Sequence, residues 1–249
     1  MISFYRNLRQ TLLNEGKTVK YLRYAIGEII LVVIGIILAI QANNWNIERT
    51  DQKKLYFELN KLVVNLEQDK ATISDQMGIN HTIVSNLDSS LIILKSPNEY
   101  SKAHFLKKFF PINWVVEFNS NKISFNNLSS TGKFQSINNE ALIDSLFHYY
   151  NSEHFKSVEN AIINQTRDVI RPYLMGFDFL PVNQKPLKNH DDERSFNTTP
   201  KDLKGYAQDV RIINGIRFKI LLHSLLNESY QSKLEEAESL IIQIKAEVN

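Results

Sequence analysis

The chain has 249 residues, of which 43% are apolar and 22% charged, enough for one sizeable domain or two small ones, and this composition excludes disorder throughout. A net charge of only +2 argues against a nucleic-acid partner, and the lack of cysteine excludes disulfides, thiolate-held metals and thiol catalysis. Eight Gly and six Pro are few for turn-rich sheets, so the chain reads as all-α.

Residues 2–16, ISFYRNLRQTLLNEG, set Phe4, Leu8 and Leu12 on one helical face beside Arg6, Arg9 and Gln10. That pattern suits a short helix on the inner leaflet of a bilayer, or one that binds a partner. Residues 25–42, AIGEIILVVIGIILAIQA, follow. As a helix they span ~27 Å, about one hydrocarbon core. Eleven are Ile, Leu or Val, and together they outweigh the one acidic residue, Glu28, on the insertion scale.

Glu28 lies in the first turn, within reach of water, Arg23 or Lys20, and reads as an interfacial carboxylate; a role within the membrane is the alternative. Trp45 stands where an aromatic belt residue would. Residues 1–24 hold five basic residues against Glu15, a net +4, so the positive-inside rule places them in the cytoplasm and residues 43–249 outside it. A cleavable signal peptide fits poorly, because the apolar run is long and no A-x-A site follows. Gly27, Leu31, Gly35 and Ala39 recur every fourth residue, a face on which two such helices could meet as a homodimer.

From Asn46 the helical spacing continues through Leu55, Leu59, Leu62, Leu66, Ile73, Ile83, Val84, Leu87, Leu91 and Leu94, which predicts a stalk helix over about 46–95, with Gly78 as a weak point. Ser96, Pro97 and Glu99 look like a capping box opening a helix that ends before Pro111. Residues 111–139 are irregular, with Trp114, Val115, Val116 and Phe118 packing a turn, and SFNNLSSTG reads as a short helix closed by Gly132.

Helices over Glu140–Tyr150 and from Glu153 to about Met175 carry Leu142, Leu146, Tyr149 and Tyr150, then Phe155, Val158, Ile162, Val169 and Leu174. Tyr149 and Tyr150 are either core aromatics or a contact on a distal head spanning about 97–175. Residues 176–199 read as an exposed loop. Thr199, Pro200 and Asp202 read as the cap of a last helix, about 200–247, whose apolar positions are Val210, Ile213, Ile216, Ile220, Leu221, Leu225, Leu234, Leu240, Ile241 and Ile244. Its length matches the first helix, which predicts an antiparallel pair.

No HExxH, phosphate loop, GxSxG elbow or EF-hand occurs, so no catalytic residue, metal or other cofactor is implied. His148 and His154 are spaced badly for a shared metal, and the run from His190 to Glu193 reads as a solvated acidic loop before a cation site. The roles left open are a membrane-anchored interaction or scaffold protein with an unknown protein partner, and a sensor-type domain that binds a ligand and acts through a cytoplasmic partner. An apolar pocket lined by convergent polar groups would favour the second.

YLRYAIGEIILVVIGIILAIQANNWN resembles the N-terminal signature of an uncharacterised flavobacterial-type membrane family, domain of unknown function family 6090, departing conservatively at Ile37 and Ala42. A second stretch, FNNLSSTGKFQSINNEALIDSLFHYYN, is similar to that family's block at Leu128, Ser130, Gly132, Ile137, Leu142, Tyr149 and Tyr150. The resemblance implies an inner-membrane protein with a helical domain in the periplasm, and no activity.

Overall fold

The computed structural model describes residues 18–176 and 201–248. The amphipathic start, the expected loop from 177 onward, its acidic run, and the cap residues Thr199 and Pro200 lie outside the described residues. Among the described residues the chain is all helix, with no strand, as the composition predicts. It divides into two compact units, 1–57 and 58–249, and helix α1 (Thr18–Lys95) carries the backbone from the first into the second.

In the first unit every side chain from Ile26 to Thr50 is exposed, and none of the apolar window is buried inside the protein. The core helix of a soluble domain would be covered, so this is a helix long and apolar enough to cross a membrane.

In the second unit α1 runs through Gly78 uninterrupted, so the expected weak point is not a break. Its buried positions alternate in steps of three and four: Leu59, Leu62, Leu66, Asp69 and Ile73, then, past half-buried Gln76, Asn80, Ile83, Leu87, Ser90 and Leu94. This is a heptad seam, and polar residues occupy several of its core positions.

After α1, Ser96 and Glu99 close a turn, with the Glu99 N–H donating to the Ser96 carbonyl at 3.0 Å. The next helix, α2 (Lys102–Phe109), starts five residues later than the capping-box reading, because the extended Ser101 supplies the cap by accepting from the His104 N–H. A 3-10 turn (Phe110–Asn113) leads into an irregular stretch in which Val116 and Phe118 are buried while Trp114 and Val115 stay partly exposed. Helix α3 (Ile123–Ser130) ends at Gly132, whose φ of 68° needs no Cβ, and a second 3-10 turn (Lys133–Ser136) follows.

Helices α4 (Glu140–Asn151) and α5 (His154–Asn164) continue through a π-helical segment (Gln165–Ile170) into α6 (Arg171–Leu174). The π segment was not foreseen. It inserts one residue into the helical register, so Ile170 is buried where the spacing points to Val169, which is 59% exposed.

The last helix is two. Asp202 caps the short α7 (Leu203–Ala207), and Asp209, accepting from the Arg211 and Ile212 N–H groups, starts α8 (Val210–Val248). The predicted start at 200 is therefore ten residues early, because a second Asp cap lies between. The seam of α8 is Ile212, Ile216, Lys219, His223, Leu226, Tyr230, Lys233, Ala237, Leu240 and Ile244, again in strict three-four steps. Val210, Leu221 and Leu225 are exposed, so counting apolar residues alone misplaced that face.

Lys70 pairs with Glu238 at 3.2 Å and Asn80 with Asn227 at 3.0 Å, so the two long helices are antiparallel within this unit, as the matched lengths predict. The middle helices do not form a distal head. Tyr149 meets α1 at Asp69 and α8 at Lys233, and Gln165 meets α8 at Gly215, so α4, α5 and the π segment lie alongside the long pair as a third layer. A third apolar face has to cover the seam, and capping its end would leave it open to water.

Candidate functional site

Three buried polar layers cross the second unit. In the first, Asp69 accepts from the Asn121 N–H at 2.8 Å and from the Tyr149 hydroxyl at 3.0 Å. Burial raises the Asp69 carboxyl above its usual range, against the lowering by these two bonds and by Lys233. Lys233 donates to the carbonyls of Tyr149 and Ser152, closing the C-terminal turn of α4 with a cation where the helix dipole is negative. Burial lowers its ammonium, and Glu236 acts in the other direction.

The second layer is built on Glu159, only 1% exposed. It accepts from the Phe118 N–H at 2.8 Å, the Tyr230 hydroxyl at 2.5 Å and Lys156 at 2.8 Å, which fixes the irregular stretch to α5 and α8.

The third layer holds His223, Asn80, Lys219 and Thr166. His223 Nδ1 lies 2.6 Å from Asn80 Oδ1, which assigns the proton to Nδ1 and leaves Nε2 buried without a partner. Burial pushes the imidazole down to about 3, with Lys219 adding repulsion. Lys219 is fully buried and donates to the Thr166 hydroxyl, and burial pushes it down to about 7, with Arg171 adding to the effect. The third layer sets His223 of α8 against Asn80 of α1 across the antiparallel seam, which penalises any slip of register.

Beside the third layer, the π segment and the first turns of α8 enclose an open cleft of about 780 Å³. Its floor is apolar, formed by Phe109, Ile112, Ile170, Leu174 and Ile212, all buried, with Phe218 half exposed at the side. Asn164, Asp168, Arg211 and Asn214 form the polar rim. The π turn shapes it by turning Gln165 toward α8, where its Nε2 donates to the Gly215 carbonyl at 3.1 Å. Gly215 allows that approach, since a Cβ there would lie 3.1 Å from the Ile170 Cδ1. Among the lining residues there is no Ser, Thr, Cys, His or Lys.

The residues singled out from the sequence lie elsewhere. Arg23, Glu28 and Trp45 are exposed on α1 in the first unit, as are Gly27, Leu31, Gly35 and Ala39, and a Cβ on Gly27 or Gly35 would meet nothing within 4 Å. Tyr149 and Tyr150 are 1% and 0% exposed, so they cannot be a surface contact. Tyr149 belongs to the Asp69 layer, and Tyr150 stacks on Phe125 at 4.5 Å in an aromatic cluster with Phe134 and Phe147. Sequence reasoning missed the cleft and the polar layers. The heptad steps were the signal for the layers, since they carry straight through Asp69, Asn80, Lys219, His223 and Lys233.

The family model of DUF6090, a family of unknown function, matches residues 28–168, more than half of the chain. That span takes in the exposed apolar helix, Asp69, Asn80, Tyr149, Glu159 and the start of the π segment. No curated protein and no solved structure matches the chain.

Proposed function

The chain belongs to the DUF6090 family, whose function is unknown, and we propose a role from its own geometry: a membrane-anchored protein that binds a small ligand in the cleft between the π segment and α8. The observation behind this reading is an apolar floor with Asn164, Asp168, Arg211 and Asn214 at its rim, in the size range of small-molecule sites. In this reading residues 25–42 are a signal anchor in the inner membrane. The +4 flank stays in the cytoplasm and the helical domain faces the periplasm. In this reading the role is binding without catalysis, and a signal passes from the helical domain to a cytoplasmic partner.

The chain has no cysteine, which makes single-cysteine labelling the direct test. Cysteines placed at Asp75 and at Val169 should both react with a membrane-impermeant maleimide in intact spheroplasts. An apolar extract of the cell envelope should slow the reaction at Val169 alone. Labelling only after lysis would refute the topology, and equal rates at Val169 with and without extract would refute the ligand.

A second reading, an interaction or scaffold protein, draws on Phe218, Leu221 and Leu225, exposed on one face of α8, an apolar stripe of the kind that docks a protein partner. A homodimer through Gly35 and Ala39 would go with either reading. Unchanged self-association of the Gly35→Ile, Ala39→Ile variant in bilayers would sink it.

A further inference from the structure

Charge around the cleft is one-sided. Asp168, its one acidic lining residue, is held by Arg167 through two bonds of 2.6 and 2.8 Å, and Asp209, two residues before Arg211, accepts from Lys201 and from the Tyr173 hydroxyl. Arg171, Arg211 and Arg217 have no carboxylate partner among the described residues, and Lys219 lies behind the wall. Of these cations Arg211 alone lines the cleft. Its guanidinium lies over the Tyr173 ring, 5.8 Å from the centroid, and its backbone belongs to the first turn of a 39-residue helix, the positive end of the α8 dipole.

The cleft therefore has one apolar trough and one cationic end. A planar guanidinium held against an aromatic face presents two parallel donors, the geometry that fits a carboxylate. A trough floored by Phe109, Ile112, Ile170 and Ile212 fits a single hydrocarbon chain, because each methylene it covers leaves water.

We propose that the cleft binds a free single-chain carboxylate amphiphile, a fatty acid or close analogue, with its carboxylate on Arg211 and its chain along the floor toward Ala161. This rests on the ligand-binding reading above and names the ligand class for that site.

The test uses the full chain in phosphatidylcholine nanodiscs with diazirine-bearing palmitate and the matching alcohol as probes. Adducts are mapped by mass spectrometry. The acid should label residues 161–174 and 209–218 about tenfold more than the alcohol, the effect of one charge-assisted bidentate contact. Arg211→Ala should remove that difference and Arg211→Lys restore part of it, since lysine keeps the charge and loses the fork. Each methylene taken from unlabelled competitor acids should weaken competition about fourfold. Ala161→Phe, which fills the floor, should abolish labelling by both probes while helical content and melting temperature are kept.

Equal capture of acid and alcohol in the cleft would overturn the carboxylate proposal and leave a ligand site standing. Adducts confined to residues 22–45 with both probes would overturn the proposal and the ligand-binding reading together.

Discussion

Lys219 is fully buried with a hydroxyl as its bonded partner, so replacing it by methionine should raise stability. Burial pushes its ammonium from 10.5 down to about 7, which makes the charged form cost about 4–5 kcal/mol at neutral pH. Lys219→Met keeps the length of the side chain and removes that cost. It gives up one hydrogen bond of about 1 kcal/mol, and the Thr166 hydroxyl still donates to the Ile162 carbonyl. The net gain is about 3 kcal/mol at pH 7.

A depressed lysine destabilises fully below its folded value, and the penalty is relieved as pH rises toward the unfolded value. The wild type should therefore recover about 2 kcal/mol between pH 7 and 9, and the variant should recover none from this site. Thermal melts followed by circular dichroism in detergent should show the variant melting about 6–12 °C higher at pH 7, with the gap narrowing by about 4–8 °C at pH 9. Other titrating groups cancel in the difference. A gap that does not change with pH, or a variant that melts lower at both, would refute the view of Lys219 as a destabilising buried cation.

The buried His223, pushed down to about 3 from 6.5, contributes stability that is complete above pH 6.5 and is lost as pH falls toward 3. Urea titrations should show a loss of about 2 kcal/mol between pH 7 and 5, with most of that slope gone in His223→Leu. Glu159→Leu strands the Phe118 N–H, the Tyr230 hydroxyl and Lys156 and should cost about 3–5 kcal/mol, whereas Glu159→Gln keeps an acceptor oxygen and should cost about 1 kcal/mol by the same titration. Tyr150→Phe removes a buried hydroxyl without a partner and should leave the melting temperature equal or slightly higher. Tyr149→Phe takes a donor from Asp69 and should lower stability by about 1–2 kcal/mol, separating two neighbours that look alike in sequence.

Periodicity and hydrophobicity are local properties, and what they fix was legible in the sequence: the all-helical class, the exposed apolar helix over 25–42, the antiparallel long pair, and the short helix ended by Gly132. The buried apolar stripe of α1 was read correctly because its Leu and Ile positions mark the heptad well enough alone. On α8 the same method chose Leu221 and Leu225, because Lys219, His223 and Lys233 occupy the seam and a count of apolar residues steps around them. Whether a lysine belongs to a core depends on the acceptor that waits for it, here Thr166 from the π segment and the α4 carbonyls, and those groups are 53 and 81–84 residues away in sequence. The cleft likewise needs the one-residue slip of the π turn and the close approach of Gly215 to Ile170. Neither leaves a mark on local spacing, so the sequence determined which segments are helices and which helix suits a membrane, while tertiary packing decided which polar groups are buried and where a ligand fits.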